Sequence, residues 1–343
     1  MKKFAVLAVF AAISGGAYAQ SSVTLFGVID EAARYTKNGD LKLKSLVSGG
    51  INTSRIGLRG VEDLGDGLKA GFWIESGINA DSGTSGDSAG RFWNRRSTVS
   101  LMGNFGEIRL GRDFTPTYTG YSDYDAFGDN GVAASGKFDS SLGTTRDTGT
   151  RADNQIMYLL PSNIGGVYGR FAVAAGEGTA GKKYFGGRVG YAAGPFDVSV
   201  AYGQTTVAPL FGEDKFKVAD VGASYDLGVV KLMGYYTQNE FANQKLATYS
   251  IGAIAPIGLG QLKASFTHAN ASGTNALGTN VDANDANQFA VGYIYNLSKR
   301  TALYGTAAYV KNKGAAVFNV NSALALASGQ KSSGAEVGIR HAF

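Results

Sequence analysis

The chain ends on strict two-residue alternation over residues 333–343, SGAEVGIRHAF. Ser333, Ala335, Val337, Ile339, His341 and Phe343 form one row; Gly334, Glu336, Gly338, Arg340 and Ala342 form the other. That period belongs to a β-strand with unlike faces. In water a terminal strand exposes a row of unpaired backbone groups and invites aggregation. The edge disappears if this strand pairs with the first one and closes a barrel. The row ending in Phe343 is then accommodated if the outside of the barrel meets hydrocarbon.

The opposite end has another character. Residues 1–19 carry Lys2 and Lys3, an apolar run from Phe4 to Ile13, and Ala17-Tyr18-Ala19. A short apolar core before a small-x-small site is the pattern of a secretory signal, too short for a membrane helix. We therefore expect the mature domain to span 20–343, with the signal lysines accounting for two of the five net positive charges. No later apolar run is long enough for a transmembrane helix. The absence of Cys excludes a disulfide framework and thiolate chemistry. A mean hydropathy of -0.06 would suit a soluble protein. It also suits a lipid-facing barrel, in which each apolar residue alternates with a polar one.

Alternation recurs along the whole chain. We expect sixteen strands near 23–35, 50–61, 68–78, 92–102, 106–113, 151–160, 167–175, 183–192, 196–205, 216–225, 229–238, 246–255, 261–269, 287–296, 300–311 and 331–343. Phe196, Val198, Val200 and Tyr202 alternate with Asp197, Ser199 and Ala201; Phe289, Val291, Tyr293 and Tyr295 form another apolar row. Tight connections at 104–105, 193–195, 226–228 and 297–299 alternate with long polar ones at 79–91, 114–150, 270–286 and 312–330. Strict short–long alternation puts turns on one rim and loops on the other, as in outer-membrane barrels. A soluble sandwich would have many short strands without that asymmetry. The expected fold is all-β: one 16-stranded antiparallel transmembrane barrel with short periplasmic turns and long external loops.

Catalytic motifs are weak. Residues 176–182, GEGTAGK, match the start of a phosphate-binding loop, but Lys183 stands where Ser or Thr is needed and a strand follows. His268 and His341 both fall on apolar rows, so an outer-membrane hydrolase built on either is a remote alternative. Asp282, Asn284 and Asp285 could offer oxygens to calcium, but read more simply as a solvated loop. No cofactor is expected, and the chain reads as a non-enzyme.

Basic residues at inward parity say more. Ile56 and Leu58 must face out, which turns Arg55 and Arg59 in. Arg95 takes the inward row with Ser97 and Val99, and Arg109, Arg170, Arg188, Lys231 and Lys263 lie on polar rows. A positive wall between low-dielectric surfaces focuses its field on passing ions. The segment 114–150 interleaves Asp123, Asp125, Asp129 and Asp139 with Tyr118, Tyr121, Tyr124 and Phe127. A structureless loop of that length is uncommon and usually functional. Its aromatics would pin it inside the barrel, leaving carboxylates toward the lumen.

Five stretches, 22–30 (SVTLFGVID), 54–65 (SRIGLRGVEDLG), 104–112 (NFGEIRLGR), 297–304 (LSKRTALY) and 337–343 (VGIRHAF), together resemble the general diffusion porins of Gram-negative bacteria, betaproteobacterial type. The resemblance covers the whole mature chain. It implies a trimeric barrel among outer-membrane lipids and lipopolysaccharide, passing ions and small hydrophilic solutes. It also implies a third loop folded inward as the constriction. By the resemblance, Asp123, Asp125 and Asp129 would be the acidic lining, opposite Arg55, Arg59 and Arg95, with Arg146 poorly aligned. The second loop would latch onto a neighbouring subunit, where Arg112 would meet it; Glu31, at outward parity, would also need a subunit interface or an aqueous rim. Phe343 would be the barrel-assembly signal. Met157 sits at inward parity where the family often has a basic residue, which weakens the wall. The arginines and the basic balance favour a modest anion preference. A substrate-specific channel of the same fold is the alternative, and an adhesin or phage-receptor role could coexist with either.

Overall fold

The computed structural model describes residues 22–87, 89–210 and 212–343; the expected signal segment lies outside them. Strands β1 (Ser22–Asn38), β2 (Leu41–Ser48), β3 (Arg55–Gly65) and β4 (Leu68–Asn79) come first, then a two-residue strand β5 (Thr84–Ser85). Next are β6 (Arg96–Gly103), β7 (Gly106–Phe114), β8 (Arg151–Leu159), β9 (Val167–Ala174), β10 (Lys183–Ala193), β11 (Phe196–Leu210) and β12 (Glu213–Asp226). The last are β13 (Lys231–Phe241), β14 (Gln244–Ile257), β15 (Gly260–Gly273), β16 (Ala286–Asn296), β17 (Thr301–Asn312) and β18 (Lys331–Ala342). Every pairing is antiparallel, and β18 pairs with both β17 and β1, so the sheet closes. The upper half of β1 pairs with β2 and its lower half with β3, which makes β2 and β3 one interrupted stave. With β5 confined to a loop, the barrel has sixteen staves.

Closure accounts for the chain terminus. Gly27 and Phe343 exchange both backbone hydrogen bonds, at 3.1 and 3.0 Å. The Phe343 ring lies across Gly27, where a Cβ would sit 2.3 Å from the ring. Outward rows are apolar and exposed, as at Val200 and Tyr202 or Val337 and Ile339. This is the arrangement hydrocarbon demands of a strand whose other face meets water.

Three expectations need correction. The second stave begins at Leu41, nine residues before the expected start, because β1 turns back at once through Gly39 and Asp40. In β2 the polarity is inverted: Lys42 and Lys44 face out while Leu43 shares the inward row with Thr36, so an apolar-outside rule passes it over. Loop lengths do not alternate strictly. β1–β2, β11–β12 and β13–β14 join at the long-loop rim through two-residue gaps. Finally, β6 starts at Arg96, with Arg96, Thr98 and Ser100 inward and Val99 outward. The parity argument for Arg95 therefore fails, although its side chain still reaches the lumen from the irregular segment before the strand.

Residues 115–150 fold into the barrel. A short helix α1 (Pro116–Ser122) starts at Thr115, whose hydroxyl accepts from the Tyr118 amide. Tyr121 packs on Tyr235, and Ala126, Phe127, Val132 and Phe138 form an apolar cluster with the inward residues Phe216, Val218, Leu246 and Val310. Glycine makes room where the loop passes: a Cβ on Gly222 would lie 2.0 Å from the Tyr124 ring, and one on Gly252 2.7 Å from Ala126. Polar clamps fix the tip. Lys137 donates to Gln288, and Glu336 accepts from the Val132 amide at 3.2 Å and pairs with Arg34 at 2.7 Å. The loop thus lines the wall from β10 to β18 and leaves the β3–β8 face open.

Candidate functional site

Between the free edge of this loop and the open face lies a cavity of about 370 Å³. Arg55, Glu75, Arg95 and Arg151 line it from the wall, and Tyr118, Asp129 and Asn130 from the loop. Arg95 Nε lies 2.5 Å from Glu75 Oε1, and Arg55 Nε is 3.7 Å from the same oxygen. Arg55 also donates to Asn52 Oδ1 at 2.6 Å and the Thr53 carbonyl at 2.9 Å. Arg151 Nε donates to the Arg95 carbonyl at 2.8 Å, and its guanidinium lies 4.1 Å from the Phe114 ring centre. Phe114 stacks on Tyr118, which donates to Asp129 at 3.3 Å. Three guanidinium groups therefore face two carboxylates. Arg55 is held by the Thr53 carbonyl and Asn52, Arg151 by the Arg95 carbonyl and the Phe114 ring, and Arg95 by the Glu75 carboxylate.

The other arginines are placed differently. Arg59 lies two pleats below Arg55, 5.4 Å from the Phe26 ring and 5.1 Å from Trp73, whose other neighbour is Arg96 at 4.4 Å. This aromatic shelf lies toward the short-turn rim. Arg146 is not at the cavity: it pairs with Asp139 at 2.9 Å and lies 4.6 Å from Phe216, between loop and wall. Arg109 faces in, bound to Glu107 and Asp113. Met157 is buried beside Ala172 and Tyr184 on the inner face.

The three loop aspartates divide the work. Asp123 pairs with Arg188 on β10. Asp125 is buried and accepts from the Phe127 and Asp129 amides and from Ser135, bracing the loop's own turn. Asp129 alone reaches the arginine cavity. Its carboxyl is pushed up to about 7, first by burial and then by the nearby Asp125 charge. Lys137, enclosed behind the loop, is brought down to about 8 by burial. Arg151 was missed in the sequence because it sits at the very start of β8, beside an irregularity opposite Arg112 that disturbs parity.

Outside the barrel, Arg112 pairs with Asp153 at 2.6 Å and donates to the Asn94 carbonyl of its own second loop. Both Glu31 carboxylate oxygens are buried without a hydrogen-bond partner among the described residues. His268 and His341 face outward, 2.8 Å from Asn287 and 2.9 Å from Thr301. Among the described residues no group of three or more His, Asp or Glu side chains is placed to hold a metal. Asp282 accepts from Gly273 and Asn280 within its own loop.

A closed barrel with an apolar outside, and a lumen narrowed by a loop facing arginines, defines a transmembrane channel of the outer-membrane type. The comparisons agree. A family profile described as Gram-negative porin matches residues 5–315. Outer membrane porin protein 32 of Delftia acidovorans is 41% identical with both chains fully covered, and an outer membrane porin of Bordetella pertussis is 30% identical over the same extent. The solved anion-selective porin of Comamonas acidovorans superposes with a TM-score of 0.84 at 38% identity, covering 94% of this chain and all of that one. A Salmonella typhi OmpF structure, at 18% identity and a TM-score of 0.67, shares the fold. The chain belongs to the Gram-negative porin family and resides in the outer membrane.

Proposed function

We infer that this porin is a passive pore for small hydrophilic solutes with a preference for anions. The observation that carries the inference is the cavity at the loop edge, where Arg55, Arg95 and Arg151 outnumber Glu75 and Asp129. An ion there moves between charges held in place by a low-dielectric wall, so the excess positive charge lowers the energy of an anion relative to a cation. The anion selectivity of the Comamonas acidovorans porin supports this sign. In a planar bilayer with a potassium chloride gradient, the zero-current potential should lie toward the chloride equilibrium. A potential toward potassium at neutral pH refutes the preference.

Acidification should strengthen it. Asp129 carries its negative charge only above about 7, so lowering the pH from 8 to 6 removes one of the two opposing charges. Loss of the Lys137 charge above about 8 acts in the same direction on the loop's net charge. The zero-current potential should shift toward chloride through that range in the native protein. In Asp129→Asn it should sit near the acidic limit and move much less. An equal pH shift in both proteins assigns the titration elsewhere.

The same reading includes a homotrimer. Its support is on the outer face, where the unpartnered Glu31 carboxylate and the Arg112–Asp153 pair need surroundings other than hydrocarbon. Unheated gel samples should run as trimers, and a monomer band alone argues against assembly.

A further inference from the structure

Below the constriction, the aromatic shelf carries a cation that the wall leaves free. Arg59 on β3 is exposed to the lumen, four residues and about 13 Å along the strand from Arg55. Arg55, Arg95, Arg96 and Arg109 on the same face each pair with a carboxylate. Arg59 has no ion pair and no hydrogen bond among the described residues. Its neighbours are rings instead. The guanidinium lies 5.4 Å from the centre of Phe26 on β1 and 5.1 Å from that of Trp73 on β4. The register sets Arg59 directly between Trp73 on one side and Thr24 on the other.

The rings are held by their own contacts. Phe26 lies against the backbone of β3, since a Cβ on Gly57 would sit 2.4 Å from its ring. Trp73 meets Phe26 edge to face, with ring centres 5.1 Å apart. The indole Nε1 donates to Glu75 Oε2 at 3.3 Å. The Arg96 guanidinium lies 4.4 Å from the Trp73 ring centre, itself held by Asp113 at 3.5 Å and the Thr98 hydroxyl at 3.1 Å. Both rings are half-buried on the inner face, so part of each stays open to the lumen. A guanidinium beside aromatic rings keeps its N–H fork for a planar oxyanion. Open aromatic surface favours a further ring, offset or edge-on. Chloride answers only the cation, and an uncharged aromatic answers only the rings. A carboxylate carried on an aromatic ring answers both.

We propose that the shelf of Arg59, Trp73 and Phe26 is a transit subsite for aromatic carboxylates. It rests on the reading of the barrel as an anion-preferring pore, and the test keeps the two apart. Potassium chloride current through the native porin in a planar bilayer is measured against added benzoate, acetate, cyclohexanecarboxylate or benzyl alcohol. Benzoate should halve the current at a concentration at least tenfold below acetate or benzyl alcohol, and severalfold below cyclohexanecarboxylate. The shelf also holds one of the chain's two tryptophans. In Trp93→Phe, which leaves Trp73 as the sole reporter, fluorescence should fall saturably with benzoate over the same concentrations and stay constant with acetate. Arg59→Ser should weaken block by benzoate at least tenfold, and Trp73→Leu should bring benzoate to the level of acetate. Equal block by benzoate and acetate in native protein, a comparison that needs no variant, overturns the proposal and leaves the anion preference standing. A benzoate margin that survives in Trp73→Leu overturns it too, as does equal potency of benzoate and cyclohexanecarboxylate. A zero-current potential toward potassium is the separate failure of the anion preference.

Discussion

Replacing Arg55, Arg95 and Arg151 together with serine should reverse the pore's ion preference, from anions to cations. The wall then loses its three guanidinium groups and keeps Glu75, with Asp129 opposite. At about 5 Å one charge acts on a passing ion with roughly 1 kcal/mol in water and roughly 3 kcal/mol at an effective dielectric of 20. Since about 1.4 kcal/mol is a factor of ten, the anion-to-cation permeability ratio should fall at least tenfold and pass through unity. Zero-current potentials in a salt gradient read the ratio directly. Single variants should rank. Arg95→Ser should lower the ratio at least as much as Arg55→Ser, because it also releases the Glu75 carboxylate from its closest partner at 2.5 Å. Arg59→Ser should change the ratio less than Arg55→Ser, since Arg59 stands at the aromatic shelf below the cavity. A triple variant that still prefers anions moves the selectivity filter away from this cavity. Unchanged barrel mobility on unheated gels guards against misfolding.

The parts of this architecture legible in sequence are those where one side of a strand meets lipid and the other meets water. There the two solvents impose period two on the residues, and Phe196 to Tyr202 or Val337 to Phe343 declare their faces. Legibility failed where that division failed. Phe216, Val218, Leu246 and Val310 face inward yet are apolar, because the folded-in loop covers them and water never reaches them. Lys42 and Lys44 face outward yet are charged, close to the long-loop rim where β1 turns into β2. The barrel, its closure and the inward loop survive such exceptions, since they rest on many strands together.

Individual site residues have no such redundancy. Parity assigns Arg55 and Arg59 the same face but cannot say that only Arg55 meets the loop, because depth along the pore depends on where the loop edge ends. The aspartates show the same limit. Asp123, Asp125 and Asp129 look equivalent in sequence. Local geometry separates them: Asp125 is consumed by the turn it braces, Asp123 by Arg188, and Asp129 is left at the cavity with φ of 56°. Arg151 had an available signal, since it follows the loop directly and lies six residues before the inward Met157. The irregularity between them, opposite Arg112, makes counting by twos an unsafe guide to its direction.

Asp30→Ala should be among the most damaging single substitutions in the barrel, and it should act on the cavity without touching it. The second stave breaks between β2 and β3, leaving backbone amides without ladder partners. Asp30, fully buried on the inner face of β1, supplies acceptors for them: the Gly50, Ile51 and Asn52 amides donate to its carboxylate at 3.3, 3.0 and 2.7 Å, and Tyr304 donates its hydroxyl. Its backbone exchanges hydrogen bonds with Ser54 Oγ at 2.9 and 3.1 Å. Buried donors left unsatisfied cost about 1–3 kcal/mol each before relaxation, so a net loss of about 3–4 kcal/mol is expected for the variant. Asp30→Asn retains one acceptor oxygen and should lose less. The released segment carries Asn52 and Thr53, which hold the Arg55 guanidinium, and Thr53 also touches Asn130 of the loop. Asp30→Ala should therefore unfold at lower temperature or urea than the native barrel, and at neutral pH its zero-current potential should move part of the way toward that of Arg55→Ser. Loss of stability with an unmoved potential would mean that Arg55 keeps its position without the segment; unaltered stability would remove Asp30 as the support of the break.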